Sequence, residues 1–494
     1  MTAVLRPHQE RMLEQIDAAL ADGCSRVVAQ APTGFGKTIV AARRLRRLQD
    51  AGKRGILIVP ALSLVDQSVE KLYKEGVRDV GVIQANHALT NYARPIQVAS
   101  VQTLERRAMP PADEILIDEV HRWFKFYPRL LAGPSAAATP VIGLTATPWT
   151  KGLGKHFQRL IVGSTTEELI RGGYLSPFRA FVPASPDLEG VRTVAGDYHE
   201  GDLGAAMNKV TLVADVVKTW LERADGRPTL CFAVDRAHAK NLQQQFASRG
   251  ISAEYIDAYT EAAERNAIAK RFHAGEVKVV CNVGCLTTGI DWDVRCIVLA
   301  RPTKSEILYV QMIGRGLRTA EGKADCLILD HSDNHVRLGF VTDIHHKYLD
   351  LGNKELTQRA IKDGPLPKKC IKCAFLKPPK TLQCPCCGFI PTPQPGAVHR
   401  EGELVELVSR ARAVPASAED HKNFYRELRA VAQLRGYRDG WVGHKFKDKF
   451  GTFPPREYGS LPPKAPSDAT FRWVKSRAIA WAKSRNNPVE EAAA

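Results

Sequence analysis

The sequence predicts an α/β protein: two parallel-sheet domains in tandem, then a small zinc ribbon, then a small, mainly helical C-terminal domain. Three observations carry that reading. Short apolar runs alternate with amphipathic helical segments up to about residue 335. A glycine-rich loop separates an apolar run at 27–29 from an alanine-rich helical segment. Five of the eleven cysteines fall between Cys370 and Cys387.

The apolar runs at 56–59, 115–117, 141–144, 230–233, 277–280, 296–299 and 326–329 are short and alternate with helical segments. Strands separated by helices imply parallel sheets, because a crossover must carry the chain back to the same edge. The first domain is expected over 1–166, with its sheet ending near Thr150 and its last helix in the region 157–171. A stretch rich in Gly, Pro and Asp, 182–204, reads as a linker or lid and places a connection over 167–209. The second domain is expected over 210–355, the zinc ribbon over 365–395 and a basic helical accessory domain over 400–494.

A chain of 494 residues is long enough for several domains with sizeable cores. No apolar run reaches membrane-spanning length. The first thirty residues contain acids and no signal-type apolar segment, so a cytoplasmic protein with no membrane partner is expected. Lys and Arg outnumber Asp and Glu by 70 to 53, a formal charge of +17 that suits a polyanionic partner.

The loop Ala31-Pro32-Thr33-Gly34-Phe35-Gly36-Lys37-Thr38 has the strand–loop–helix setting of a phosphate cradle. Gly34 and Gly36 let backbone N–H groups converge on phosphate oxygens. Lys37 brings positive charge to the β- and γ-phosphates of ATP, and Thr38 a hydroxyl for Mg²⁺. Asp118-Glu119 ends an apolar strand about 80 residues later. Asp118 is placed to hold Mg²⁺ through water and Glu119 to orient or deprotonate the attacking water. Thr145-Ala146-Thr147-Pro148 follows a further strand.

With these three motifs in this order, the chain resembles a superfamily 2 helicase of the DEAD/DEAH type, with Asp118-Glu119-Val120-His121 as its second motif. The resemblance implies two RecA-like motor domains. It makes His121, Thr145 and Thr147 the groups that couple phosphate state to grip on the strand. Thr287-Thr288-Gly289-Ile290-Asp291 is similar to motif V, which assigns Gly289 and Asp291 to the nucleotide. Gln311 to Arg318 matches motif VI, which assigns Gln311, Arg315 and Arg318 to catalysis. Two arginines brought from a separate domain stabilise charge on the departing phosphate. At three residues apart, they are expected to share a helix face. Arg6-Pro7-His8-Gln9 resembles the adenine-reading element, with Gln9 on the base.

The stretch containing Pro60 and Ser63 resembles motif Ia, and that containing Ser100, Gln102 and Thr103 resembles motif Ib. Small hydroxyl and amide groups suit phosphate contacts, and they equally suit helix caps and turns. Phe232 falls in a motif IV-like segment, Thr288 in motif V, and Thr303 and Lys304 follow the next strand as phosphate ligands.

Cys370-x2-Cys373, ten residues, then Cys384-x2-Cys387 is a four-thiolate Zn²⁺ pattern, with Cys386 left over. Lys368, Lys369, Lys372, Lys377 and Lys380 surround it, and no acid lies between Pro365 and Pro395. With Phe375 and Phe389 as stacking groups, the module suits single-stranded nucleic acid or a fork. A purely structural clip or a protein-docking ribbon stands beside that reading. From Glu401 onward there are 17 Lys and Arg against 12 Asp and Glu. Ser417 and Asp420 form a capping-box pattern, and Gly436 stops the helix that follows. Trp441, Phe446, Phe450, Phe453, Trp473 and Trp481 serve either DNA binding or the core of a small domain.

The motor motifs, with the 326–330 run after them, also resemble RadD-type bacterial DNA repair helicases over about residues 1 to 390, with a C-terminal region closer to that of phage helicases. That resemblance implies an ATP-dependent DNA helicase or translocase acting on single-stranded, forked or branched DNA in repair, recombination or replication, with single-strand-binding or recombination proteins as further partners. An RNA helicase and an ATP-switched clamp or adaptor remain as alternatives. A restriction-enzyme motor ranks lower, because no nuclease constellation of spaced acids and a lysine is evident.

Overall fold

The computed structural model describes residues 4–352, 366–391 and 417–485, except 85, 134, 135, 137, 138, 184, 288, 289 and 439. It forms two compact units, Met1–Pro393 and Gln394–Ala494. The expected motif V residues Thr288 and Gly289 lie outside the described residues.

The first unit holds both large sheets. The first sheet comprises β1 (Arg26–Gln30), β2 (Gly55–Val59), β3 (Val80–Ile83), β4 (Ile96–Ser100), β5 (Glu114–Asp118), β6 (Val141–Thr145) and β7 (Arg159–Val162). Their order is β3-β4-β2-β5-β6-β1-β7, and every pair is parallel. Strands β2, β3 and β4 are buried along their whole length. Helices cover both faces, which is why β2 reads as a continuous Ile/Leu/Val run without alternation.

The expected last helix over 157–171 is corrected. Residues Arg159–Val162 form an edge strand beside β1, and only Thr166–Arg171 is helical. Thr165 and Glu168 close a reciprocal cap that fixes the helix start. A four-residue Arg-Leu-Ile-Val run carries no period that separates strand from helix. Pairing with β1 decides it.

The second sheet comprises β8 (Phe178–Phe181), β11 (Thr229–Phe232), β12 (Ala253–Ile256), β13 (Val279–Asn282), β14 (Cys296–Leu299) and β15 (Cys326–Asp330), with the hairpin β9 (Thr193–Val194) and β10 (Asp197–Tyr198) between β8 and β11 in the chain. Its order is β12-β13-β11-β14-β15-β8, again all parallel. The 167–209 stretch, expected as a linker, supplies the edge strand β8, that hairpin and the helix Glu200–Met207. Its Gly and Asp content marks turns between short elements rather than one long loop.

The cysteine module has its own antiparallel pair, β16 (Lys368–Lys369) and β17 (Leu376–Lys377). It docks on β8. Val182 donates its N–H to the Ala374 carbonyl at 2.9 Å, and the Phe375 ring meets Phe181 edge-on at 5.4 Å. Arg223 lies 4.4 Å from the Phe181 ring centroid and donates to the Cys373 carbonyl.

The second unit contains the helices Ala418–Arg435, Gly440–Phe450 and Asp468–Arg485. Ser417 and Asp420 form the expected reciprocal cap, and Gly436 ends the first helix at φ 64°. Phe424, Leu428, Val431, Phe446, Tyr458 and Val474 make the core, with Trp441, Phe450 and Trp473 packed against it. These aromatics therefore serve folding, while Phe453 stays exposed.

Candidate ATP site and nucleic-acid interface

The strand order builds the site. β5, β6 and β1 are adjacent, so the loops leaving their ends converge. The phosphate loop leaves β1, Asp118 ends β5 and Thr145 ends β6.

Gly34 and Gly36 both have positive φ, 87° and 95°. A β-carbon at Gly34 would sit 2.5 Å from the Leu175 side chain, and one at Gly36 would strike the Gln9 carboxamide. Phe35 is fully buried and packs against the His8 ring at 4.6 Å. It anchors the loop with its side chain. Pro32 and Thr33 are buried beside it, and the Phe35 N–H closes the turn onto the Pro32 carbonyl. Lys37 opens the helix Lys37–Asp50, with Thr38 next. Orphan N–H groups of that first turn are what a phosphate accepts.

Gln9 is placed differently from its sequence reading. Its carboxamide donates to the Phe35 carbonyl at 2.9 Å and accepts from the Arg6 N–H at 3.0 Å, so one end holds the phosphate loop and the other caps the start of its own helix, Pro7–Ala21. The exposed Arg6 guanidinium faces the Tyr174 ring at 5.2 Å.

Lys37 Nζ lies 3.7 Å from Glu119 Oε1. Glu119 has a positive φ of 48°, a sparsely populated conformation for a residue with a β-carbon. Its own N–H donates to Asp118 Oδ1 at 3.0 Å, which holds that turn. Burial, then the neighbouring Glu119 carboxylate, push the Asp118 carboxyl up against the pull of Lys37. For Glu119 the upward push of burial is outweighed by Lys37, His121 and Arg315, and the group is held low. A partly buried carboxylate short of positive charge, close to a helix-opening Lys-Thr pair, has the hard-oxygen chemistry of a Mg²⁺ site.

His121 joins the two sheets' chemistry. Its Nδ1 lies 2.8 Å from Thr145 Oγ1 and 3.3 Å from Glu119 Oε2, and its Nε2 lies 2.9 Å from Gln311 Nε2. Thr145 Oγ1 in turn accepts the Thr147 N–H at 3.0 Å. A continuous path, buried at His121 and Gln311, therefore runs from the Lys37–Glu119 pair to the helix Glu306–Gly314 of the second lobe.

That helix ends at Gly314, so the expectation that Arg315 and Arg318 share a helix face is corrected. A β-carbon on Gly314 would lie 2.7 Å from Thr33 of the phosphate loop, and one on Gly316 would strike Cys326. Close packing, not helical spacing, aims the arginines. Arg315 donates to the Ile290 carbonyl at 3.2 Å; Arg318 donates to the same carbonyl and to Asp291. Arg315 is buried with its Nε unpartnered, and burial followed by repulsion from Arg318 lowers it to about 9. Sequence reasoning missed the segment that pins this region: Leu175 bridges Arg318, and Ser176 bonds to the Leu317 and Arg318 carbonyls. Nothing in those residue types signals it.

Among the expected nucleic-acid contacts, several are occupied by the protein itself. Phe232 is buried in β11 and cannot reach a strand. Thr303 is fully buried, with its hydroxyl donating to Asp197 at 2.6 Å. Lys304 is exposed but donates from Nζ to Thr193 and lies over the Tyr198 ring. Ser100 is buried as the cap of the helix Val101–Leu104, accepting from Thr103, whose hydroxyl also meets it. Gln102 ties the two motifs together by donating to the Pro60 carbonyl at 2.9 Å. Ser63 sits in the short 3-10 turn Leu62–Leu64.

The sulfurs of Cys370, Cys373, Cys384 and Cys387 all lie within 4.8 Å of one another. Two pairs are 3.8 and 3.7 Å apart. Tetrahedral zinc with bonds of about 2.3 Å separates its thiolates by about 3.8 Å, so the four sulfurs fit that ion. Cys386 is exposed and stands outside the cluster.

Fold and site together define a two-lobed P-loop ATPase. Comparison with known proteins narrows this. Residues 2–150 match the family described as type III restriction enzyme, res subunit, and residues 208–320 match the helicase conserved C-terminal domain. A 51.5 kDa protein of a Lactococcus phage is 28% identical over 373 residues, covering 73% of this chain and 77% of its own. A Saccharomyces cerevisiae protein described as a candidate ATP-dependent helicase, IRC3, is 28% identical over 354 residues, covering 66% of this chain; the match spans only 51% of that relative. The fragment structure of a candidate HsdR subunit of a type I restriction enzyme from Vibrio vulnificus superposes with a TM-score of 0.54 at 20% identity, covering 71% of this chain and 68% of its own. The two domain matches and these relatives support a superfamily 2 helicase ATPase. Among the described residues no helix is long and apolar enough to cross a membrane.

Proposed function

We propose that the protein is an ATP-dependent DNA translocase that remodels forks or recombination intermediates, with Lys37, Asp118, Glu119, Gln311, Arg315 and Arg318 forming its hydrolytic centre. The observation that carries this is the path Lys37–Glu119–His121–Gln311, which links the hydrolytic carboxylate to the second lobe through one histidine. Lys37 and the loop N–H groups hold the β- and γ-phosphates, Asp118 and Thr38 hold Mg²⁺, and Glu119 takes the proton of the attacking water. Arg315 and Arg318 leave the Ile290 carbonyl to meet the departing phosphate. Loss of that phosphate breaks the bridge between lobes, and the grip on the strand shifts.

The net charge of +17 supports a polyanionic substrate. Zinc on the four cysteines would fold the ribbon, a segment too small to hold a core of its own. An ATPase screen across single-stranded, duplex, forked and four-way DNA, with matching RNA, tests the reading. Strongest stimulation by forked or branched DNA is expected, with strand displacement or streptavidin removal following ATP. Lys37→Ala should reduce stimulated hydrolysis by about 10³-fold or more. Stimulation by RNA alone, hydrolysis without movement along DNA, or a Lys37→Ala variant near wild type would each overturn it.

A further inference from the structure

The cysteine module is built from two backbone copies. In the first, the Ala374 N–H donates to the Cys370 carbonyl at 2.9 Å and the Cys370 N–H to the Phe375 carbonyl at 2.8 Å. In the second, the Gly388 N–H donates to the Cys384 carbonyl at 2.9 Å and the Cys384 N–H to the Phe389 carbonyl at 2.8 Å. Ala374 and Gly388 occupy the same left-handed position, at φ 59° and 68°. Phe375-Leu376 and Phe389-Ile390 are therefore equivalent pairs, fourteen residues apart.

Their surroundings differ. Phe375 meets Phe181, and Leu376 is buried at 1% exposure. The second pair has no such seat: Ile390 is 58% exposed, Phe389 is half-exposed, and Leu382 before them is 73% exposed. An apolar pair left open where its twin packs against Phe181 and buries its leucine marks a surface shaped for a partner. The charge around it says which kind. Lys368, Lys369, Lys372 and Lys380 are exposed, and residues 366–391 contain no acid.

Resting on the translocase reading above, we propose that this second knuckle is a binding site for single-stranded DNA, with bases packed on Leu382, Phe389 and Ile390 and phosphates on Lys372 and Lys380. Apolar and aromatic groups accept any base face, and lysines neutralise the backbone without reading sequence. The first knuckle fixes the site to the edge of the second motor sheet, so a strand held here is held by the lobe that moves.

The test uses the full chain with a photo-crosslinking amino acid at Leu382 and a 5′-labelled thirty-nucleotide DNA strand. Crosslinking to the strand is expected, and crosslinking only to other protein overturns the proposal. In parallel, the Phe389→Ala/Ile390→Ala double variant should bind the strand about tenfold more weakly, while keeping its zinc content and its maximal ATPase at saturating DNA within about twofold. Lys372→Ala and Lys380→Ala should each flatten the salt dependence of binding by about one unit of slope. Unchanged affinity in all three variants overturns the proposal. If no nucleic acid stimulates the unsubstituted protein, the translocase reading itself fails. Normal stimulation with no crosslink at Leu382 removes only this site.

Discussion

In the first lobe the groups that the proposed function assigns to the nucleotide are held by their own loops. Phe35 roots the phosphate loop, Gln9 bonds its carbonyl, and the Glu119 N–H closes onto Asp118. In the second lobe Arg315 and Arg318 are held by a carbonyl and a carboxylate of another loop, at Ile290 and Asp291. Both lobes are parallel sheets with loops gathered at one edge. Under the proposed function, one carries a cradle already formed, and the other carries charges that must exchange partners before they act. A buried guanidinium gives up a carbonyl only for something better, and a phosphate developing negative charge supplies it.

Three experiments break or sharpen this contrast. Arg315→Ala should lower kcat by about 10³-fold while leaving nucleotide affinity within a few-fold, since the first lobe alone builds the cradle. Single-turnover hydrolysis beside equilibrium binding reads the two quantities separately, and a large loss of affinity would erase the difference between lobes. His121→Ala should cost about tenfold in nucleic-acid-stimulated hydrolysis and less in the unstimulated rate, because it removes the link between Thr145 and Gln311 and leaves Lys37 and Glu119 in place. Equal losses in both rates would assign His121 to chemistry alone.

The smallest effect concerns pH. In the second lobe burial lowers His238 and His331 to about 4 from an ordinary 6.5. The unfolded chain then binds more protons than the folded one between those values. The stability these neutral rings contribute is whole above pH 6.5 and is lost as pH falls towards 4. Amide exchange at pH 7 and pH 5, corrected for intrinsic rates, should show protection falling more in β11–β15 than in β1–β7. His238→Gln should reduce that difference. Equal loss across the sheets would contradict it.

The phosphate loop, the Asp118-Glu119 pair and the cysteine spacing were legible because each is a local device. Two glycines beside a lysine, or two Cys-x2-Cys pairs, carry their geometry within a few residues. Phe232 and Thr303 misled for the opposite reason. An aromatic in a strand and a threonine after one look alike whether they face solvent or a neighbour, and burial in β11 and the Asp197 carboxylate decided them. The edge strands β7 and β8 were missed because short runs show no period and exist only through the strand beside them.

The sequence by itself determined the α/β class, the nucleotide chemistry and the thiolate cluster, since backbone conformation, charge and ligand type are set by residues near one another in the chain. Tertiary structure decided which arginine meets which carbonyl, how His121 reaches Gln311 across 190 residues, and which of two equivalent knuckles is left uncovered. Those outcomes depend on the packing of surfaces distant in sequence, where a β-carbon at Gly314 or a ring at Phe375 finds or lacks room.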